Sequence, residues 1–190
     1  MVKFMEVRWH GRGGQGTVTA AKLFAEAMLG AGKHVQAFPE YGPERMGAPL
    51  KAYNRISDDP LTVHCQVAHP RIVAVVDSTL IGMVDVLEGV PEDGIVIVNT
   101  ANPPSQVGEK IGAGMRKVFT VDATRISLET MGRAMPNTPM LGALARASGE
   151  IGLADLLVQI QKNFGKKFSQ KVIDGNLRAV ERAYEEVQGE

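Results

Sequence analysis

Apolar and polar positions divide the chain into two unlike halves. Residues 3–9 place Val7 and Trp9 on alternate positions after Phe4 and Met5, and predict a first strand. Val18, Ala21, Phe24, Ala25 and Met28 then recur at spacings of three and four, which predicts an amphipathic helix over 18–29, ended by Gly30 and Gly32. Residues 34–38 and 50–57 read as two further strands. Three uninterrupted apolar runs follow, at 72–76, 95–98 and 118–121; such runs suit strands buried on both faces of a parallel sheet. A helix is predicted over 80–87. From Thr124 the pattern turns helical, over 127–134, 140–148, 154–164 and 169–187, with a break at Pro136-Asn137-Thr138-Pro139. These elements predict an α/β fold: a three-layer α/β/α arrangement on a mostly parallel, Rossmann-like sheet with a helical C-terminal part, residues 1–190 forming one domain.

Composition narrows the class of protein. A chain of 190 residues, 44% hydrophobic and 22% charged, is long enough for one substantial core and too apolar to be disordered. Lys and Arg number 21 and Asp and Glu also 21, so no global basic surface points to nucleic acid. Cys65 is the single cysteine, which excludes an internal disulfide framework and an iron–sulfur cluster held by this chain in the usual way. No signal-peptide core and no run of ~18 apolar residues is present, so no membrane span is expected and the expected location is cytoplasmic.

The chemistry concentrates at His10 to Thr17, H-G-R-G-G-Q-G-T, between the first strand and the first helix. Glycines there let backbone N–H groups approach an anion, and the helix N-terminus adds a favourable field for phosphate. Gly11, Gly13 and Gly16 satisfy G-x-G-x-x-G, although glycine turns of this kind also serve plain helix–strand packing. The lysine of a nucleoside-triphosphatase loop is missing, since Gly16 is followed by Thr17 and Val18. Glu40 is the only nearby acid for a dinucleotide ribose and lies later than such sites place it. His10, His34, His64 and His69 are scattered, and Cys65 reads as a small packed residue; no catalytic and no metal-ligating residue is assigned. The loop over 39–49, rich in Pro and Gly, is either a structured turn or a ligand contact. Three strands end in V-D-S, V-N-T and V-D-A, so Asp77, Asn99 and Asp122 either cap the next element or face a crevice at the strand ends.

Three motifs in order carry a family resemblance: G-R-G-G-Q-G-T, then Y-G-P-E-R-M-G, then N-T-P-M-L-G-A-L. Together they resemble the gamma subunit of 2-oxoacid:ferredoxin oxidoreductases, the pyruvate enzymes above all, over about residues 7–184. The resemblance implies a subunit that is inert alone and works with alpha-, beta- and delta-type subunits or fused domains. Those partners would hold thiamine diphosphate, magnesium and iron–sulfur clusters, and the complex would turn a 2-oxoacid and coenzyme A into acyl-CoA and carbon dioxide, passing electrons to ferredoxin. It also implies a contribution to the coenzyme A site from Gly11, Gly13, Gly14, Gln15 and Gly16, with Arg45 pairing a phosphate and Asn137 hydrogen-bonding the ligand. The structural alternatives are tight helix–strand packing for Gly14 and Gly16, an ion pair with Glu44 or a partner chain for Arg45, and a helix cap for Asn137. The second motif departs from the family in having Met46 before Gly47 and Ala48. A stand-alone nicotinamide- or flavin-dependent oxidoreductase is the alternative function.

Overall fold

The computed structural model describes residues 4–40, 47–165 and 167–189. Seven strands form one mixed sheet in the order β2-β3-β1-β4-β5-β6-β7. The parallel core is β1 (Phe4–Arg12), β4 (Ile72–Val75), β5 (Ile95–Asn99) and β6 (Lys117–Val121). On one flank β3 (Pro49–Ser57) pairs antiparallel with β1 and with β2 (His34–Glu40); on the other, β7 (Gln188–Gly189) closes antiparallel on β6. The chain thus goes one way from β1 to β2 and β3, then returns past β1 to β4. The sheet reverses its winding between the carboxyl ends of β1 and β4, where α/β sheets of this kind bind ligands.

Among the described residues six α-helices accompany the sheet: α1 (Thr17–Gly30), α2 (Pro104–Ile111), α3 (Ala123–Met131), α4 (Asn137–Ser148), α5 (Leu153–Phe164) and α6 (Gln170–Glu186). All but α2 pack on one face, over Val7, Trp9, Ile72, Ala74 and Ile97, where Phe24, Met140, Leu144, Leu156 and Val180 complete the main core. Helix α1 is locked there by a buried relay: the Trp9 indole N–H donates to Asn54 Oδ1 (2.7 Å), and the Asn54 amide donates to the Ala21 carbonyl (2.8 Å).

The opposite face is divided. Under β4–β6 it is lined with valines, Val73, Val75, Val96, Val98 and Val118, against Val107 of α2 and Val86 and Val90. Under β1–β3 it is polar yet buried: Glu6, Arg8 and His10 alternate along β1 beside Arg55 of β3. Irregular chain covers this part, because Arg55 donates to the carbonyls of Val63 and Cys65, and Arg8 to that of Val86. So, among the described residues, the second helical layer is α2 alone, completed by segments without regular structure.

Two expectations are corrected. Residues 80–87 are not a helix: a 3₁₀ turn at Ser78–Leu80 gives way to turns through Gly82 (φ 91°), and the Asp85 carboxylate accepts from the Leu87 N–H. A left-handed glycine next to the β-branched Ile81 disfavours helix there. Strand β1 also runs past Trp9 to Arg12, since His10, Gly11 and Arg12 pair with Lys51, Leu50 and Pro49. Gly11 therefore belongs to the strand and not to the loop. Helix α2 and the two-residue β7 are additional to the elements predicted from the apolar pattern.

Candidate functional site: a glycine loop between two helix ends

The site lies where the winding reverses. After Arg12 the chain turns through Gly13 to Gly16, with Gly14 (φ 96°) and Gly16 (φ 76°) both left-handed, and enters α1. A Cβ at residue 11 would stand 2.0 Å from Thr17 Oγ1, so Gly11 is what allows the start of α1 to lie against β1. The Gly13 N–H donates to the Ala48 carbonyl (3.0 Å), its own carbonyl accepts from Gly47 N–H (3.1 Å), and the Gln15 N–H closes a turn onto Arg12 (3.1 Å). The N–H groups of Gly14 and Gly16 carry no such bond among the described residues, and neither α1 nor α4 has a side-chain cap. Both helix ends thus keep the N–H groups that have no partner within a helix.

These two ends meet. Asn137, the first residue of α4, packs on Gly16 so closely that a Cβ there would lie 2.8 Å from the Asn137 carboxamide. Asn137 is buried, and its Oδ1 has no hydrogen-bond partner. The first and third sequence motifs are therefore brought together. Arg45, from the second, lies among residues 41–46, outside the described residues.

Gln15 turns inward rather than toward open space. Its Oε1 accepts from the Arg12 N–H (2.8 Å) and its amide donates to Asp77 Oδ2 (2.6 Å). Asp77, at the carboxyl end of β4, also takes the Thr79 N–H and hydroxyl and pairs with Arg12 Nε (3.2 Å). Partial burial works to raise the Asp77 pKa, but the hydrogen bonds from Thr79 and Gln15 and the Arg12 charge outweigh it and hold the carboxyl below its ordinary value. Arg12 reaches further to Thr79 Oγ1 and the Gly47 carbonyl. Sequence reasoning assigned neither Arg12 nor Asp77, though Arg12 stands inside the first motif. Asp77 does cap the 3₁₀ turn, and it latches the loop as well. Asn99 and Asp122 are structural: Asn99 ties β5 to the Val76 carbonyl and to Thr124, and Asp122 caps α3 at Arg125. Glu40, the acid a dinucleotide site would need, accepts the Tyr53 hydroxyl instead.

His10 sits two residues before Arg12 on the same face of β1. It is 1% exposed, and its Nε2 has no partner. Burial, reinforced by the Arg8 and Lys51 charges, pushes its pKa down to about 3. Above an unfolded-state pKa near 6.5 the imidazole is neutral in both states. As pH falls from about 6.5 toward 3 the unfolded chain takes a proton that the folded chain refuses, so stability is lost on the acid side. Denaturant titrations at pH 7 and pH 5 will therefore show a stability loss about 2 kcal/mol larger in the wild type than in His10→Gln. Parallel losses in the two proteins would refute a neutral buried His10.

An uncapped helix end after a glycine loop, at the reversal of an α/β sheet, is the place where α/β proteins of this class commonly bind phosphorylated ligands. Comparison with known proteins makes the class particular. The family model for pyruvate ferredoxin/flavodoxin oxidoreductase matches residues 6–186. The pyruvate synthase subunit PorC of Thermotoga maritima is 51% identical over 97% of this chain and 95% of its own length. The common gamma subunit of the pyruvate/ketoisovalerate oxidoreductases of Pyrococcus abyssi is 44% identical over 97% of each chain. The crystal structure of the T. maritima pyruvate oxidoreductase subunit PORC superposes with a TM-score of 0.87 at 48% identity, covering 98% of both chains. A 2-oxoglutarate:ferredoxin oxidoreductase from Magnetococcus marinus shares the fold alone (TM-score 0.74, 19% identity), over 96% of this chain and 31% of that one. The chain belongs to the pyruvate ferredoxin/flavodoxin oxidoreductase family, as a gamma-type subunit of a multi-subunit oxidoreductase. Among the described residues no helix is long and apolar enough to cross a membrane, and no group of metal-ligating side chains is assembled.

Proposed function

We propose that this chain supplies part of the coenzyme A site of a pyruvate:ferredoxin oxidoreductase. Partner subunits of alpha, beta and delta type hold thiamine diphosphate, magnesium and iron–sulfur clusters and deliver electrons to ferredoxin. The observation that carries the reading is the meeting of two uncapped helix ends at Gly16 and Asn137, with the N–H groups of Gly14 and Gly16 unused within the described residues. Such a place favours phosphate, because N–H donors and two helix fields converge there beside the Asn137 carboxamide. Coenzyme A is the phosphate-bearing reactant and supplies the thiol that accepts the acyl group. In this reading Gly14 and Gly16 cradle its phosphates and Asn137 adds an amide. Gly13 and Gln15 shape the loop, and Gly11 seats α1. Pyruvate as the oxoacid rests on the likeness to the T. maritima subunit.

Gly16→Ala tests this in the assembled complex. It forces a side chain into a left-handed position and against Asn137. The KM for coenzyme A is expected to rise roughly tenfold or more, the loss of one charge-assisted hydrogen bond. The KM for pyruvate is expected to stay, as is that for pantetheine, which lacks the phosphates, used as acyl acceptor. An unchanged coenzyme A KM, or an equal rise for pantetheine, would remove the loop from the phosphate site.

A further inference from the structure

Where α6 crosses the end of α3, a groove of about 490 Å³ opens that shares no residue with the glycine-loop site. The crossing is close because residue 175 is glycine: a Cβ there would stand 3.0 Å from the Thr130 carbonyl oxygen. The half-buried Met131 and Val172 give the groove apolar sides, and Leu128, one turn earlier on α3, is 49% exposed. Around these apolar groups stand Arg133, Lys171 and Arg178, all exposed, and among the described residues no carboxylate lines the groove. Its volume falls within ~300–1,000 Å³, the range that receives a drug-sized guest.

The neighbouring cations already have their counter-charges. Arg182, one turn on from Arg178, pairs with Glu129 and with Glu186 (2.8 Å each), and Arg125 reaches the same two acids. Arg133, Lys171 and Arg178 have no ion pair among the described residues. Asp174, the acid between the last two on α6, accepts from the Gln170 amide instead (2.7 Å). The carboxyl end of α3 offsets part of this charge, but a helix end carries only about half an elementary charge. Lys171 and Arg178, two helical turns apart, lie on one face of α6 at a separation of about 10 Å.

We propose that this groove docks an acidic segment of another subunit of the oxidoreductase, its carboxylates meeting Lys171 and Arg178 while an apolar side chain enters between Met131 and Val172. The proposal rests on the chain being one subunit of a multi-subunit assembly, and it is independent of the coenzyme A reading. A peptide suits the groove better than other anions do. Free phosphate favours a helix N-terminus, whereas the end that opens here is a carboxyl end, whose field opposes an anion. Single-stranded nucleic acid stacks its bases on aromatic rings, and none lines this groove among the described residues. A protein segment brings charge and apolar surface together, as an interface core with a polar rim requires. Arg133 stands on the connection from α3 to α4, so a partner held there also braces the chain that leads into Asn137.

The test uses the assembled complex. A carbodiimide joins a lysine amine to a carboxyl group in direct contact, and Lys171 is expected to cross-link to an Asp or Glu of another subunit, identified by mass spectrometry. The double variant Lys171→Glu with Arg178→Glu is expected to raise the dissociation constant of this subunit roughly tenfold or more, read by mass photometry on dilution at fixed salt, because like charges then face each other. Lys171→Arg keeps the charge and is expected to assemble as the wild type does. Replacing the cross-linked carboxylate by Lys, in the charge-reversed background, is expected to regain most of the loss, which a merely misfolded variant would not show. A cross-link from Lys171 to a second copy of this chain overturns the proposal, because the groove would then be a contact between like subunits. Assembly indifferent to the double reversal overturns it as well, and so does a loss that the partner's reversal leaves unrepaired.

Discussion

Gly142→Ala will destabilise the purified chain by about 3 kcal/mol or more, at the upper end of what overpacking a core costs. Gly142 lies in α4 where that helix crosses α6, and a Cβ there would stand 2.1 Å from the Val180 carbonyl oxygen and 3.1 Å from the Tyr184 nitrogen. Both obstacles are backbone, so no rotamer change relieves the clash; α4 has to lift from α6. Helix α4 brings Met140, Leu141 and Leu144 into the main core and begins at Asn137, so the displacement reaches the site as well. In a chain of this size each kcal/mol shifts Tm by about 2–4 °C, which predicts a fall near 10 °C in thermal unfolding. Gly108→Ala in α2 is the control. Its Cβ would meet nothing closer than 3.5 Å, and replacing a helical glycine there is expected to be neutral or to stabilise by up to ~1 kcal/mol. Similar melting temperatures for the two variants would show that the helix crossing tolerates a methyl group.

Gly142 also illustrates which features a sequence exposes. The apolar stripes of α1, α4, α5 and α6 follow the helical period, and those helices lie where periodicity places them to within a few residues. The buried runs at β4, β5 and β6 were equally plain, since strands covered on both faces need no polar alternation. What periodicity hides is the partner of a face. Glu6, Arg8 and His10 alternate with apolar residues as a solvent-facing edge would, yet irregular chain buries them through hydrogen bonds to its own carbonyls. The helix expected over 80–87 failed for the same reason: that segment serves as a cover, and its local hydrogen bonds and Gly82 set its path. At the site, motif order identified the glycine loop and Asn137, and the fold places them in contact. Asp77 was legible as a cap or a crevice residue and not as the partner of Gln15, because that link spans 62 positions and depends on β4 lying beside β1.

That concealed face predicts the second large effect. Arg55, 1% exposed, donates through Nε and Nη2 to Glu6 Oε1 (2.8 and 2.6 Å). It also donates to Gln36 Oε1 on β2 and to the carbonyls of Val63 and Cys65, while the Phe4 ring lies 5.2 Å from its guanidinium carbon. One side chain therefore ties three strands to the chain that covers them. Glu6→Ala leaves the guanidinium buried without its counter-charge and is expected to cost about 3–5 kcal/mol in denaturant unfolding. Glu6→Gln keeps an acceptor and is expected to cost less. The double variant Glu6→Leu with Arg55→Met removes both charges and keeps similar volume, and such replacements are often neutral. It is expected to recover most of the loss in Glu6→Ala, so the two sites will be strongly non-additive. Limited proteolysis locates the effect: the segment 61–67 should be cut faster in Glu6→Ala, as the guanidinium that holds its carbonyls loses its anchor, while α5 should not. A double variant as unstable as the sum of its single changes would mean that Arg55 acts through its carbonyl contacts alone and that Glu6 is incidental to the pair.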